Sequence, residues 1–148
     1  DRVNHSVLLK KLQLLGFNPK LVEWISSHLS DRFQKVVFNN ELSDTLKVTS
    51  GVPQGSHLDP ILFNIFINDL PTLISYSSIL IYADDVKLFL SYSDYNCQRL
   101  LQEDLVALET WCEYNLMRLN LGKCKCMSFS EDIGSFLRIV LLVPGWNL

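Results

Sequence analysis

The stretch Ile79-Leu80-Ile81-Tyr82-Ala83-Asp84-Asp85-Val86-Lys87-Leu88-Phe89-Leu90 places two adjacent acidic residues between two short apolar runs. Runs of this length and composition predict two β-strands that meet in a hairpin, with Asp84 and Asp85 at its tip. Because a buried unpaired carboxylate is costly, the pair should face water or a cation. Mg²⁺ prefers oxygen ligands and commonly takes one or two carboxylates together with substrate phosphates. From these two residues alone, a solvated turn is the better interpretation, and only the neighbouring motifs favour a metal site.

The bulk composition indicates one globular domain. The chain has 148 residues, of which 48% are hydrophobic and 20% charged, and this excludes a disordered protein. Its formal net charge of -3 argues against a self-sufficient nucleic-acid-binding protein, because phosphate contacts come mainly from Lys and Arg. An acidic catalytic centre separated from basic neighbouring domains would have the same charge. The start of the chain has neither an initiator Met nor signal-peptide character, as expected for a piece of a longer protein.

The cysteines and the apolar runs indicate where such a protein would reside. None of the four cysteines forms a CxxC pair or has a histidine spacing suited to zinc, so we expect reduced thiols in an intracellular protein. The sequence does not distinguish nucleus from cytoplasm. No apolar run approaches the ~20 residues of a membrane span, and no membrane association is expected.

In the first half, the pattern predicts two helices, a hairpin, a loop and a third helix. Asn18-Pro19 should be the N-cap and first residue of the second helix. Residues 33–38 and 46–49 are typical of paired strands. Ser50-Gly51-Val52-Pro53-Gln54-Gly55-Ser56 is a loop, and Asp59-Pro60 opens a strongly apolar helix.

In the second half, the two hairpin strands are followed by a long amphipathic helix and a short strand over residues 123–129. The apolar positions of that helix are Leu101, Leu105, Leu108, Cys112, Leu116 and Leu119. Trp24 and Trp111 are expected to be core or helix-packing residues rather than base-stacking platforms. The order ααββαββαβ predicts an α+β fold with helices on one face of an antiparallel sheet.

Three motifs in this order resemble the palm region of reverse transcriptases from non-LTR (LINE-type) retrotransposons, over residues 1–129. The loop at 50–56 with Pro60-Ile61-Leu62-Phe63-Asn64 is similar to the family's second core motif. Tyr82-Ala83-Asp84-Asp85 is similar to its catalytic hairpin, and Asn120-Leu121-Gly122-Lys123-Cys124 to the motif after that hairpin. The resemblance implies a truncated polymerase palm with a ferredoxin-like (RRM-like) topology.

The resemblance also implies a two-metal nucleotidyl transfer with two Mg²⁺ ions, or Mn²⁺ in their place. Asp1 begins a run similar to the residues around the Phe-Asp pair of the family's first motif, so Asp1 and Asp84 are the implied metal ligands. Asp85 is the weaker candidate, because neighbouring strand residues point to opposite faces. The assignment requires Asp1 and Asp84 to lie close enough to share the two cations.

Other candidate residues surround the substrate in the family. Pro53, Gln54 and Gly55 are implied to line the nucleotide and template side: glycine lets the backbone approach a ligand, and glutamine can bond a base edge. A plain Gly/Pro loop is the alternative. Lys123 would stabilise or protonate the departing pyrophosphate, or is simply a solvated lysine before a strand. Arg32 would touch template phosphates, or keep a strand edge soluble.

Two departures from the family affect the expected organisation. Asp59 stands where the family has Gly; as a helix N-cap it would stabilise by about 1 kcal/mol, yet it adds negative charge where a nucleotide approaches. Residues 131–148 match nothing in the family. We therefore expect a partial reverse transcriptase domain over residues 1–130, the palm with part of the fingers-side hairpin, and a divergent tail over residues 131–148.

The predicted function is that of a fragment of an RNA-directed DNA polymerase, impaired in isolation because it lacks fingers and thumb. The implied partners are an RNA template, a DNA primer, deoxynucleoside triphosphates and the missing segments of the parent polyprotein. The alternative is a non-catalytic remnant that at most binds RNA or a protein. A Mg²⁺-dependent nuclease or phosphatase would leave the loop at 53–55 unexplained and lacks an evident water-activating group.

Overall fold

A computed structural model of the chain describes residues 2–53, 55–92, 97–130 and 137–143. It combines α-helices with antiparallel strands, which confirms the α+β class. The chain divides into two compact units, Asp1–Phe66 and Ile67–Leu148.

The first unit begins with two helices that pack against each other, α1 (His5–Leu14) and α2 (Pro19–Leu29). The predicted start of α2 is confirmed, because the side chain of Asn18 accepts a hydrogen bond from the N–H of Lys20 at 2.9 Å. The buried side chains of the two helices are Leu8, Leu12, Val22, Ile25 and Leu29. They recur at helical spacing, so one apolar stripe on each helix forms this part of the core.

The predicted first hairpin is present but interrupted. It consists of two short pairs: β1 (Phe33–Gln34) with β4 (Leu46–Lys47), and β2 (Val37–Phe38) with β3 (Glu41–Leu42). The turn at its tip has positive φ at Asn39 and Asn40, 48° and 63°, the conformation that favours asparagine in a two-residue hairpin turn. Between the two pairs, a side chain takes the place of a backbone partner: the hydroxyl of Ser43 accepts a hydrogen bond from the N–H of Val36 at 2.9 Å. The expectation of one continuous strand pair was therefore wrong.

The third helix, α3 (Asp59–Ile67), closes the first unit, and a 3₁₀ helix (Leu70–Leu73) comes next in the chain. Phe66 is fully buried near the end of α3. The Lys11 ammonium donates to the carbonyl of Phe66 at 2.6 Å and lies 4.8 Å from the centre of its ring. A cation therefore satisfies a carbonyl at the C-terminal end of α3, where the helix dipole favours positive charge.

The second unit contains a four-stranded antiparallel sheet. Its strands are β5 (Ser78–Tyr82), β6 (Asp85–Tyr92), β7 (Lys125–Ser130) and β8 (Leu137–Val143). Their spatial order is β5-β6-β8-β7, so β8 lies between β6 and β7. The sequence pattern did not predict β8, which lies in the region expected to be a divergent tail.

One long helix, α4 (Cys97–Tyr114), packs against β6 and the 3₁₀ helix. It ends earlier than predicted, because Leu116 is exposed and has a positive φ of 57°, which a helix cannot continue through. Trp111 is buried as predicted, and its indole N–H donates to Asp69 Oδ1 at 3.0 Å. Trp24 is not a core residue: its side chain is 52% exposed and its ring stacks on His28 of the same helix. No helix in the described part of the chain is long and apolar enough to cross a membrane.

The three cysteines whose side chains are described should differ sharply in thiol reactivity. Burial, with the nearby charges of Glu109 and Glu113, raises the pKa of Cys112 to about 12. Burial also raises the pKa of Cys124, whereas Cys126 is exposed. At pH 8 a thiol with a pKa like that of Cys112 is thiolate in only about one molecule in ten thousand, and the thiolate is the nucleophile.

We therefore expect iodoacetamide at pH 8 to alkylate Cys126 first, Cys124 more slowly and Cys112 last, as measured by peptide mass spectrometry. The same reaction in urea is the control, because unfolding should remove the differences among the three. Native alkylation of Cys112 as fast as that of Cys126 would contradict its burial.

Candidate active site

The acidic pair lies at the tip of the predicted hairpin, which the structure confirms. Tyr82 pairs with Asp85, so Ala83 and Asp84 form a two-residue loop. Ala83 has a φ of 50°, a left-handed conformation that costs a residue other than glycine about 1–2 kcal/mol. The side chains of Asp84 and Asp85 are exposed. The turn thus presents two carboxylates to solvent on a strained backbone, and strain of this kind is common at functional sites.

The hairpin has one buried face and one exposed face. Val86 and Leu88 are buried on the side that packs against α4. Leu80 and Lys87, which are paired across the two strands, are exposed on the other side. Because side chains two residues apart share a face, Asp85 is on the same side as Lys87. Lys87 was not predicted as a cation beside the acidic turn, although the alternation of the strand could have indicated it.

The donor set at this turn suits a hard divalent cation but is incomplete by itself. Carboxylate oxygens are the ligands that Mg²⁺ prefers, and two of them are adjacent and accessible at Asp84 and Asp85. Within the described ranges, no group of three His, Cys, Asp or Glu side chains gathers as a metal site. Asp1 lies outside the described residues, so its approach to Asp84 stays a prediction.

Lys123 lies at the same end of the sheet as the acidic turn. It sits in a turn where its N–H donates to the carbonyl of Asn120 at 2.9 Å, just before β7, and its side chain is exposed. Lys125 at the start of β7 pairs with Leu142, which also pairs with Lys87 of β6. With one strand between them, β6 and β7 are about 10 Å apart. The register therefore brings Lys123 toward the end of the sheet that carries Asp84 and Asp85.

The loop of residues 50–56 is held to the start of the chain by two hydrogen bonds. The N–H of Gly51 donates to the carbonyl of Val3 at 2.8 Å, and Nε2 of His5 donates to the carbonyl of Gly51 at 2.7 Å. Pro53 is buried and Gly55 is exposed with a φ of 91°, which requires glycine. Gln54, between them, lies outside the described residues. The fold thus ties this loop to the segment next to Asp1, a role of His5 that its sequence position did not reveal.

Arg32 is half-buried at the base of the first hairpin, where its carbonyl accepts from the N–H of Val48 at 2.8 Å. Nearby, the ammonium of Lys47 lies 3.0 Å from Asp31 in an exposed ion pair. Exposed pairs of this kind contribute little to stability. Arg32, Pro53 and Gly55 belong to the first unit, whereas Asp84, Asp85 and Lys123 belong to the second.

Asp59 does not cap α3 in the predicted way. It is the first residue of the helix, and its buried carboxylate accepts from the N–H of Ser56 at 3.0 Å and from its hydroxyl at 2.7 Å. The bonds run back toward Gly55, so this carboxylate closes the end of the loop at 50–56. It also places negative charge in the first helical turn, where the helix dipole favours it.

Replacing Asp59 by alanine should therefore lower the free energy of unfolding by about 1–3 kcal/mol, because Ser56 loses both acceptors. Asp59→Asn, which keeps one acceptor oxygen, should cost less, and Ser56→Ala should remove only the hydroxyl bond. Urea unfolding followed by circular dichroism measures all three variants. Equal stability of Asp59→Ala and the wild type would show that the carboxylate does not close the loop.

Comparisons with known proteins identify the family. Residues 1–139 match the family described as "Reverse transcriptase (RNA-dependent DNA polymerase)". The chain is 36% identical over 143 residues to the "RNA-directed DNA polymerase from mobile element jockey" of Drosophila melanogaster, covering 91% of this chain and 16% of that relative. It is 35% identical over 131 residues to the "Probable RNA-directed DNA polymerase from transposon BS" of the same species, covering 83% and 14%.

A third relative is the "Retrovirus-related Pol polyprotein from type-1 retrotransposable element R2" of Popillia japonica, 27% identical over 161 residues, covering 100% of this chain and 25% of that protein. The chain therefore belongs to the reverse transcriptase family. Its resemblance to the reverse transcriptases of non-LTR retrotransposons is confirmed by the jockey and BS relatives. It corresponds to a small part of each of these longer proteins.

Proposed function

We propose that this chain carries the palm portion of an RNA-directed DNA polymerase and the acidic half of its nucleotidyl-transfer site. The observation that supports it most directly is the exposed pair Asp84 and Asp85 on a strained turn, in a chain of the reverse transcriptase family. The sheet of the second unit, with α4 against one face, suits a ferredoxin-like palm.

In the proposed reaction, a primer 3′-hydroxyl attacks the α-phosphate of a deoxynucleoside triphosphate, and pyrophosphate leaves. Asp84 and Asp1 would hold the divalent cations, Mg²⁺ or Mn²⁺, with Asp85 as a secondary ligand. When bound, two such cations lower the charge on the attacking oxygen and on the leaving group. The carboxylates need no folding rearrangement to reach a cation, because both side chains at the turn already face solvent.

The remaining candidates take roles that their positions allow. Lys123, at the same end of the sheet as the turn, would stabilise the departing pyrophosphate or donate a proton to it. Gly55 and Pro53 would place the backbone of the loop against the nucleotide, and Gln54 would hydrogen-bond a base edge. Arg32 would contact a template phosphate. The partners of the parent protein, namely RNA template, DNA primer and the absent fingers and thumb segments, are part of the same proposal.

A primer-extension assay tests the proposal. The purified chain is mixed with an RNA template, a labelled DNA primer, deoxynucleotides and either Mg²⁺ or Mn²⁺. We expect slow, metal-dependent addition of a few template-directed nucleotides, because much of the basic grip on the duplex is missing. Omitting the metal and omitting the template are the controls.

Two other results would change the interpretation. RNA binding without any metal-dependent incorporation, unchanged in Asp84→Ala, would favour the non-catalytic alternative. Long, processive products would contradict the expected impairment of the isolated chain.

A further inference from the structure

The buried carboxylate of Asp104 binds the backbone immediately before the acidic hairpin. Asp104 lies on α4 and is only 2% exposed. Its Oδ1 accepts from the N–H of Ser75 at 2.8 Å, and its Oδ2 accepts from those of Tyr76 at 3.1 Å and Ser77 at 2.6 Å. Three consecutive backbone donors thus satisfy one charge that would otherwise be costly to bury.

The position of this cluster relates it to the turn. Ser77 is followed directly by β5, and β5 leads directly into Ala83 and Asp84. Among the strands that the structure describes, β5 lies at the edge of the sheet with β6 beside it. A shift of β5 by one residue would move it about 3.4 Å along its axis and turn its side chains to the opposite face. Because Asp104 holds three successive N–H groups, the start of β5 cannot shift without breaking them.

The strain at the turn needs such a restraint. Ala83 would lose its unfavourable φ of 50° if the hairpin opened into a longer loop, and that change requires β5 to move relative to β6. Strained backbone persists only where the surroundings fix it. The ladder between β5 and β6 restrains the strand along its length, and Asp104 restrains its beginning.

We propose that Asp104 is a positioning residue of the polymerase site: it clamps the start of β5 and thereby holds the turn of Ala83 and Asp84 in its strained two-residue form. The carboxylate acts at a distance, since it contacts the backbone of residues 75–77 and not the acidic pair. Its importance for catalysis rests on the proposed function, whereas the clamp itself rests on the hydrogen bonds alone.

Hydrogen–deuterium exchange of the full chain tests the clamp without requiring activity. In Asp104→Asn, an NH₂ group replaces one of the two acceptor oxygens. Its N–H donors then face the backbone N–H donors of residues 75–77, which cannot bond to them. We expect the amides of Ile79 to Tyr82 to exchange about tenfold faster than in the wild type, while those of α1 and α2 stay within about twofold. Unchanged exchange in β5 would overturn the proposal.

Two variants serve as matched controls. Glu103→Gln makes the same change of charge at the adjacent, exposed position of α4, where Glu103 pairs with Arg99 at 2.9 Å. Ser77→Ala removes a buried hydroxyl that has no hydrogen-bond partner among the described residues, and keeps the N–H that Asp104 binds. Both should leave exchange in β5 within about twofold of the wild type. Acceleration by Glu103→Gln equal to that by Asp104→Asn would also overturn the clamp.

A double-mutant comparison separates the clamp from general packing. Ala83→Gly removes the strain, so it should slow exchange of the hairpin by a larger factor in Asp104→Asn than in the wild type. If Ala83→Gly slows hydrogen exchange by the same factor in the wild type and in Asp104→Asn, Asp104 does not hold the turn. If Asp104→Asn does not fold, Asp104→Glu replaces it, because it keeps the charge and displaces the carboxylate by one methylene.

Mn²⁺ binding, followed by water-proton relaxation, connects the clamp to the site. Asp104→Asn should weaken Mn²⁺ binding by about threefold or more, and Glu103→Gln should not. Absence of Mn²⁺ binding by the wild type would count against the proposed function only, because the exchange comparison needs no metal. If the wild type binds Mn²⁺ but Asp104→Asn leaves hydrogen exchange in β5 unchanged, the result would count against the clamp alone.

Discussion

Replacing Asp84 by asparagine should lower metal-dependent nucleotide incorporation by about a thousandfold, corresponding to the loss of about 4 kcal/mol of charge stabilisation at the reacting phosphate. The carboxylate is exposed at the hairpin turn, so its removal should change the free energy of unfolding by less than about 0.5 kcal/mol. Single-turnover primer extension measures the rate, and urea unfolding checks that the fold is retained. A large loss of activity with intact folding is the expected combination.

Two controls sharpen this experiment. Asp85→Asn should lower incorporation less than Asp84→Asn, because Asp85 is the secondary ligand of the proposed site. Glu113→Gln removes one negative charge from an exposed position of α4 and should leave the rate unchanged within about twofold. Incorporation by Asp84→Asn within about threefold of the wild type would remove Asp84 from the metal site.

Replacing Leu88 by alanine should lower the free energy of unfolding by about 2–5 kcal/mol. Leu88 lies on β6 opposite Ile79 and is 0% exposed, on the face that packs against α4. The substitution removes apolar contacts and leaves a cavity that the surroundings fill only in part. Chemical denaturation followed by circular dichroism gives the loss.

The same hairpin supplies the matched control. Leu80 on β5 is 59% exposed on the other face, so Leu80→Ala should cost less than about 0.5 kcal/mol. The comparison keeps the residue type, the hairpin and the size of the truncation constant, and varies only the face. If the two substitutions cost the same, the assignment of a buried and an exposed face is incorrect.

Local signals in the sequence predicted the parts of the fold that depend on neighbouring residues. Asn18-Pro19 determines where α2 begins, because the Asn18 side chain caps the helix and Pro19 has a fixed φ. The acidic turn likewise lies between two strands that the pattern predicts. The family was recognised from three motifs in order, and this was confirmed. These features can be predicted from the sequence because each depends on a few adjacent residues.

The parts that were missed depend on contacts between distant residues. Asp104 occupies a buried position within the apolar stripe of α4, and nothing local shows that three backbone N–H groups near residue 76 satisfy it. Trp24 comes directly before the buried Ile25 on α2, yet its own side chain is 52% exposed. The bonds of His5 to Gly51 and of Asp59 to Ser56 likewise required the fold. The site roles of all the candidate residues, and the divergence of residues 131–148, stay predictions.

The place of β8 in the sheet affects how the second unit can fold. The strands β6 and β7 are each paired with β8, which comes after both of them in the chain. Of the described strands, β5 alone can pair with β6 until residue 143 has left the ribosome, and a hairpin of two strands is marginally stable in water. The acidic turn should therefore become rigid late in synthesis, and translation stopped before residue 137 should yield a product that proteases degrade rapidly.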